Sequence, residues 1–248
     1  MVKSFRQPLL TRILHRVYRI GPETALNPDS PESARGPDVD LALAQNLRTL
    51  KRRFYSARQF DYPALQASRE MEVLRALAGD LRLFDPARLP TVERKRAFWI
   101  NLYNTLILHG VIAFGVRRSV RETSGFFARV AYVINGHRFS ADDIEHGILR
   151  ANAGYPLLPG KQFTAQDPRR QYVLPPDPRI HFALNCAARS CPPIAAYDGA
   201  ALDSQLDMAA QAFVNSGGVE VDAQAATLRI SPLFLWYRGD FAGTFPHQ

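Results

Sequence analysis

The stretch TVERKRAFWINLYNTLILHGVIAFG, residues 91–115, limits what this chain can become more than any other. Thr91 can accept from the free N–H groups of a first helical turn. Glu93 suits the positive end of the helix dipole, and Gly115 can take the left-handed conformation that ends a helix. Beyond Arg96 the residues offer little strongly polar surface: Ala97, Ile100, Leu102, Tyr103, Leu106 and Ile107 are spread around the helix. A helix that is apolar nearly all round belongs inside a domain, so other elements must be laid around it. Asn101 and Asn104 interrupt it, three residues apart and therefore on one face. A buried amide left unpaired costs about 1–3 kcal/mol. Each asparagine thus needs a partner: a loop backbone that it ties to the core, or a bound ligand.

The surrounding sequence supplies helices and short hairpins. DVDLALAQNLRTLKRRF, from Asp38, reads as a helix with an acidic cap at Asp38 or Asp40. A second helix is expected from Asp61–Pro63 through Met71, Leu74 and Leu77. In AYVINGHRFS, two β-prone runs flank Asn135-Gly136, a pair suited to the positive φ angles of a tight hairpin turn. Ser140 then caps SADDIEHGILRA, with Asp143 in the reciprocal capping position. A helix is expected over about 198–213, followed by a hairpin pairing GVEVD with ATLRIS and an irregular aromatic tail. The reading is a mainly helical, single α+β domain over 38–248. Residues 1–37 form a basic N-terminal helix and a proline-rich linker, and four of the prolines fall in 21–38.

A chain of 248 residues can bury a core without staples, so two cysteines are not the framework of a small secreted scaffold. The net charge of +8 is concentrated early: residues 1–60 hold eleven Lys and Arg against five Asp and Glu. No recognition motif or base-stacking aromatic pattern accompanies that charge, which argues against nucleic acid. The sequence shows neither a run of about 20 apolar residues nor the apolar core of a secretory signal, so a cytoplasmic location is expected. Residues 4–20 carry Leu10, Ile13, Leu14 and Val17 on one stripe, with Arg12, Arg16 and Arg19 beside it. Such a helix can pack on its own domain, or contact a membrane surface or a protein partner.

Both cysteines lie in HFALNCAARSCPP, residues 181–193. A disulfide between Cys186 and Cys191 needs their Cα atoms within about 7 Å. A metal site would use His181, Cys186 and Cys191, but H-x4-C-x4-C is not a familiar zinc spacing, and neither metal nor cofactor is expected. A catalytic thiol would need a cationic neighbour such as Arg189 and a base such as His181 or His146, oriented by Glu145 or Asp143. Both cysteines could also be small buried apolar residues. In DDIEHGILR, Glu145 and His146 would point about 100° apart on an α-helix, with Arg150 five residues beyond Glu145. They read either as an acid–base pair or as a solvated helix face.

Taken together, AFWINLYNTLILHGVI, INGHRFSADDIEHGILR and DPRIHFALNCAARSCPPI resemble the three signature blocks of the domain of unknown function 547 family, over about residues 45–241. The family pattern falls on Trp99, Asn101, Asn104, Glu145, His146, His181, Cys186, Ser190, Cys191 and Pro192. Ala187 stands where the family usually has glycine, and the Tyr-Asp-Trp segment near which relatives end is missing, so a shortened C-terminus is expected. The resemblance implies that these polar residues share a pocket. The expected function is a thiol-dependent hydrolase or transferase acting on a small molecule or peptide. Cys191 would be its nucleophile (Cys186 the alternate), His181 its base, and Glu145 or His146 the orienting group. Asn101, Asn104 and Arg150 would bind substrate. The alternative is a non-catalytic interaction module using the basic N-terminal helix.

Overall fold

The structure, a computed structural model, describes residues 8–21, 24–27, 38–57, 59–156, 158, 160–187 and 191–242. Its centre is the long helix over Val92–Ala113, here α5 in chain order. Thr91 Oγ1 accepts from Arg94 N at 3.1 Å, and Gly115 closes the helix with φ +61°. Phe98, Trp99, Ile100, Leu102, Tyr103, Leu106 and Ile107 are all buried. The expected central helix is therefore present and interior.

Around it lie α1 (Leu9–Val17), α2 (Val39–Phe54), α3 (Tyr62–Gln66), α4 (Arg69–Asp80), α6 (Phe126–Arg129) and α7 (Leu202–Phe213). The single helix expected from Asp61 through Leu77 is broken in two. Asp61 caps α3 through Ala64 N, and Ser68 restarts the chain by accepting from Met71 N. A side chain that caps a new first turn competes with continuation of the old helix. A minimal ladder, β1 (Tyr55–Ser56) with β2 (Gln59–Phe60), joins α2 to α3.

The strands β3 (Ala131–Ile134) and β4 (His137–Ser140) pair antiparallel, with Tyr132 opposite Phe139 and Ile134 opposite His137. Asn135 and Gly136 turn the hairpin at φ +45° and +75°. All eight strand residues are buried. Burial on both faces requires partners for the polar groups. Arg138 donates to the carbonyls of Thr24 at 2.5 Å and of Ala128 at 3.0 Å, and His109 Nδ1 lies 2.8 Å from the Tyr132 hydroxyl.

The expected linker differs in part. Residues 24–27 are docked into the body: Asn27 Nδ2 donates to the carbonyls of Ala78 at 2.6 Å and Val133 at 3.0 Å, while its Oδ1 accepts from Val133 N at 2.8 Å. The rest of the proline-rich stretch, residues 28–37, lies outside the described residues. The C-terminal arm holds the expected hairpin, β5 (Val219–Asp222) with β6 (Thr227–Ile230). The tail expected to be irregular contains two short helices, α8 (Pro232–Trp236) and α9 (Arg238–Ala242). Ser231 starts α8 by accepting from Leu233 N. Among the described residues, no helix is long and apolar enough to cross a membrane.

Candidate active site

The site grows from the segment after β4. Ser140 Oγ accepts from Asp143 N at 3.1 Å, and Asp143 Oδ2 accepts from Ser140 N at 2.9 Å, which is the capping exchange expected from sequence. The turn that follows, Asp143–Leu149, is π-helical rather than α-helical. Its wider winding is seen in the bond from Arg150 N to Glu145 O, five residues back, at 3.0 Å. The Arg150 side chain folds back over the same turn, so that Nη1 lies 3.1 Å from His146 Nδ1. The segment winds tightly under Phe163: a Cβ on Gly147 would sit 2.3 Å from that ring.

From the other side comes His181, on a short turn over Pro178–Phe182 started by Asp177. Its Nε2 lies 2.8 Å from Asp240 Oδ2 of α9. Arg150 grips the same carboxylate with two donors, Nε to Oδ2 at 2.5 Å and Nη2 to Oδ1 at 2.9 Å. Tyr237 stacks on His181 at 3.8 Å between centroids, lies 4.9 Å from the Arg150 guanidinium and donates its hydroxyl to Glu145 Oε1 at 2.5 Å. Tyr103 of α5 donates to Glu145 Oε2 at 3.2 Å. His146 stands between two carboxylates, 3.7 Å from Glu145 and 3.8 Å from Asp142, and Asp142 accepts from the Tyr155 hydroxyl at 2.7 Å. The Glu145 and Asp240 side chains keep 13% and 15% exposure, so the cluster reaches solvent.

This packing drives the protonation states apart. Burial, with the charges of Glu145 and Asp143 adding to it, lifts Asp142 to about 7 despite its tyrosine donor. Burial alone would raise Glu145 too. The Tyr237 hydroxyl and the Arg150 guanidinium oppose it, as do His146 and His181 whenever either ring is charged, and the carboxyl is held below its usual value. Asp240 is drawn down to about 2, because the bonds from His181 and Arg150 overcome its burial. Burial and the nearby Arg150 depress His146 to about 4, so it is a neutral ring at pH 7.

The cysteines stand apart from this chemistry. Cys186 and Cys191 are joined as a disulfide with Cα atoms 6.1 Å apart, and neither is a free thiol. While bonded to its partner, neither sulfur has a thiolate to offer as the expected nucleophile, so a role for Cys191 or Cys186 would require reduction of the bridge. Among the described residues, neither sulfur bonds to His181, His146 or Glu145. Ala187 takes φ +60° beside Cys186, the conformation that glycine adopts without cost. Arg189 and Ser190 lie outside the described residues.

The two asparagines are committed to backbone. Asn101 Nδ2 donates to Tyr197 O and its Oδ1 accepts from Tyr197 N, both at 2.8 Å. Asn104 donates to the carbonyl of Ala183 at 3.1 Å and accepts from Asn185 N at 2.9 Å. They tie the backbone at Ala183, Asn185 and Tyr197 to α5, the structural of the two roles open to them, and Asn101 also lines a cavity. Arg150, the third expected binding residue, does hold a carboxylate. Asp143 faces Arg169 at 3.0 Å rather than a histidine, and its expected orienting role falls to Asp240.

The sequence reading therefore found Glu145, His146, Arg150 and His181, which the fold brings together. It missed Tyr103, Asp142, Tyr155, Tyr237 and Asp240. Asp142 and Tyr155 sat in plain view, but nothing in their spacing marks a shared proton environment. A cavity of about 660 Å³ lies between α2, α5 and residues 197–200, lined by Asp40, Arg94 and Asn101, and the Glu145–His181 cluster does not line it. Among the described residues, no group of three or more His, Cys, Asp or Glu side chains could hold a metal ion.

No curated protein and no solved structure matches the chain. One family does, through a model described as "Protein of unknown function, DUF547" that spans residues 87–214. The match carries α5, the π-helical turn, His181 and both cysteines, and stops before Tyr237 and Asp240. Since it covers more than half of the 248 residues, the chain belongs to the DUF547 family.

Proposed function

We propose that this protein is an acid–base hydrolase or transferase whose chemistry runs through His181, Glu145 and Asp142, without a part for the Cys186–Cys191 disulfide. One observation carries the reading: in one solvent-reaching cluster, where Tyr237 bonds Glu145 and Tyr155 bonds Asp142, the two carboxyls are pushed in opposite directions. Separated acid and base roles in a common site are a hallmark of proton-transfer catalysis. Asp240 fixes His181 through Nε2, which leaves Nδ1 to take a proton from water or a substrate hydroxyl. Among the described residues no hydrogen bond reaches that Nδ1. Asp142, protonated near neutral pH, is the acid. Glu145, kept anionic by Tyr103 and Tyr237, is the fixed negative charge against which a positive transition state would be stabilised.

The test is turnover of a panel of chromogenic esters, amides and phosphoesters, with and without reductant. The expected outcome is a rate that survives Cys186→Ser/Cys191→Ser and falls at least about 100-fold in His181→Asn and Glu145→Gln, the usual size of a lost acid–base group. Activity that needs reductant and vanishes in Cys191→Ser would restore a thiol nucleophile. A rate no higher than that of the His181→Asn/Glu145→Gln double variant on every substrate would remove the enzyme reading.

A second reading, compatible with the first, concerns α1. Leu9, Ile13 and Val17 recur every fourth residue and are 69%, 49% and 64% exposed, while Thr11 and Ile20 face the body. Arg12, Arg16 and Arg19 are exposed beside this apolar stripe. An apolar stripe rimmed by arginine fits the headgroup region of an anionic membrane. Co-sedimentation with phosphatidylglycerol vesicles, lost in Ile13→Glu/Val17→Glu and absent with phosphatidylcholine alone, is the expected result. Equal sedimentation of the variant would discard it.

A further inference from the structure

We infer that Arg150 and His181 form a binding subsite for a ligand carboxylate, which Asp240 occupies in cis. The inference deepens the proposed function by naming a substrate class and rests on the same cluster. Its test reads binding rather than turnover, so either idea can fail alone.

The cradle and its occupant come from different parts of the molecule. Arg150 and His181 are 7% and 4% exposed and sit in the body, within the family match. Asp240 sits on the five-residue α9, which has no buried residue and lies beyond that match. Three donors, Nε and Nη2 of Arg150 and Nε2 of His181, converge on its two oxygens. The remaining Arg150 donor, Nη1, is satisfied by Gly154 O at 2.5 Å and faces His146. The guanidinium is therefore held in place by the body whether or not Asp240 is there. A buried cation held so firmly requires an anion, and the fork of a guanidinium matches a planar carboxylate. Glu145, anionic and close enough to feel both Arg150 and His181, disfavours a doubly charged tetrahedral anion in the same place.

The arm bearing Asp240 is surface structure: no residue of β6, α8 or α9 is buried. It meets the body through Phe234 and Phe241 against Phe182, at 6.0 and 5.9 Å between ring centroids, and through Tyr237 and Asp240 at the cluster itself. Withdrawal of 231–242 would open the carboxylate cradle and free Glu145 from the Tyr237 hydroxyl in one motion. A substrate carrying a carboxylate, with a hydrogen-bond donor near it for Glu145, would then occupy both places.

Chemical rescue in the full-length chain tests this. Asp240→Ala removes the occupant and leaves a hole of the shape of acetate. Sodium acetate is expected to raise the Tm of this variant saturably, on the order of 3 °C beyond sodium chloride at equal ionic strength, as ligand linkage requires. The gain should be absent in wild type and in Asp240→Ala/Arg150→Gln. If Asp240→Ala does not fold, Asp240→Asn keeps the shape, removes the charge and should weaken the arm's hold enough for the same acetate-specific gain. Acetate no better than chloride in the folded variant, or an equal gain without Arg150, would overturn the subsite. Inorganic phosphate outperforming acetate would overturn the carboxylate assignment.

Discussion

Among the described residues, two antiparallel hairpins have four-residue strands, and they have opposite fates. β3–β4 is buried at every position, with Tyr132, Ile134 and Phe139 fully sealed against α5. β5–β6 is exposed almost throughout, with Val221, Leu228 and Ile230 at 75%, 63% and 53%. Local pattern and turn chemistry are enough to make a hairpin, whereas burial depends on what the rest of the chain lays over it. The buried hairpin aims the π-helical turn that carries Glu145, His146 and Arg150. The exposed one leads to α8 and α9, which deliver Tyr237 and Asp240 onto those same residues. One is scaffold for the site and the other supports a removable cover.

The largest effect expected from breaking this contrast is at Tyr132. Tyr132→Ala empties a sealed site and orphans His109, and should cost about 3–5 kcal/mol in urea unfolding. A loss under about 1 kcal/mol would show that the core reading of β3–β4 is wrong. Next comes Phe234→Ala, which removes an arm contact to Phe182. Amides of 219–242 should lose about 2 kcal/mol of hydrogen-exchange protection while those of β3–β4 keep theirs. Equal loss in both hairpins would make them one cooperative unit.

A pH experiment sharpens the same boundary. Asp142 is raised to about 7 in the fold, so the unfolded chain gives up this proton first. Its contribution to stability is therefore present below about pH 4 and is lost as pH rises toward 7. Asp142→Asn should be near neutral at pH 4 and stabilising by about 1–2 kcal/mol at pH 8, after allowance for water access. A variant that destabilises equally at both pH values would refute the buried, protonated carboxyl. The smallest effect is expected at Leu228→Ser in β6, within about 0.5 kcal/mol. A loss comparable to that of Tyr132→Ala would mean that the exposed hairpin is covered in solution.

Both hairpins of this contrast could be read from sequence, but α8 and α9, which carry Tyr237 and Asp240 onto the cluster, could not. Thr91, Gly115, Asn135-Gly136 and the Ser140–Asp143 exchange each act within a few residues, so composition at fixed spacing foretells them. The reading failed where two local signals competed, as at Ser68, where a cap ended one helix and began another. It stayed open at the cysteines, where four intervening residues allowed both a bridge and free thiols and only the closed loop joins them. At the site, Glu145, His146, Arg150 and His181 stood out by residue type. Tyr237 and Asp240 did not, because they meet Glu145 and Arg150 across 92 and 90 residues of chain.

The sequence by itself determined a buried helix and the hairpins that follow it, because caps, turn preferences and apolar periodicity are short-range forces. Tertiary structure alone decided that the turn at Glu145 would wind wide enough to bring Arg150 back over His146, that the cysteines would close on each other, and that a carboxylate from the far end of the chain would sit between Arg150 and His181. Those outcomes follow from the burial of charge. A guanidinium removed from water must find an anion, and which anion comes within reach is settled only when distant segments have packed.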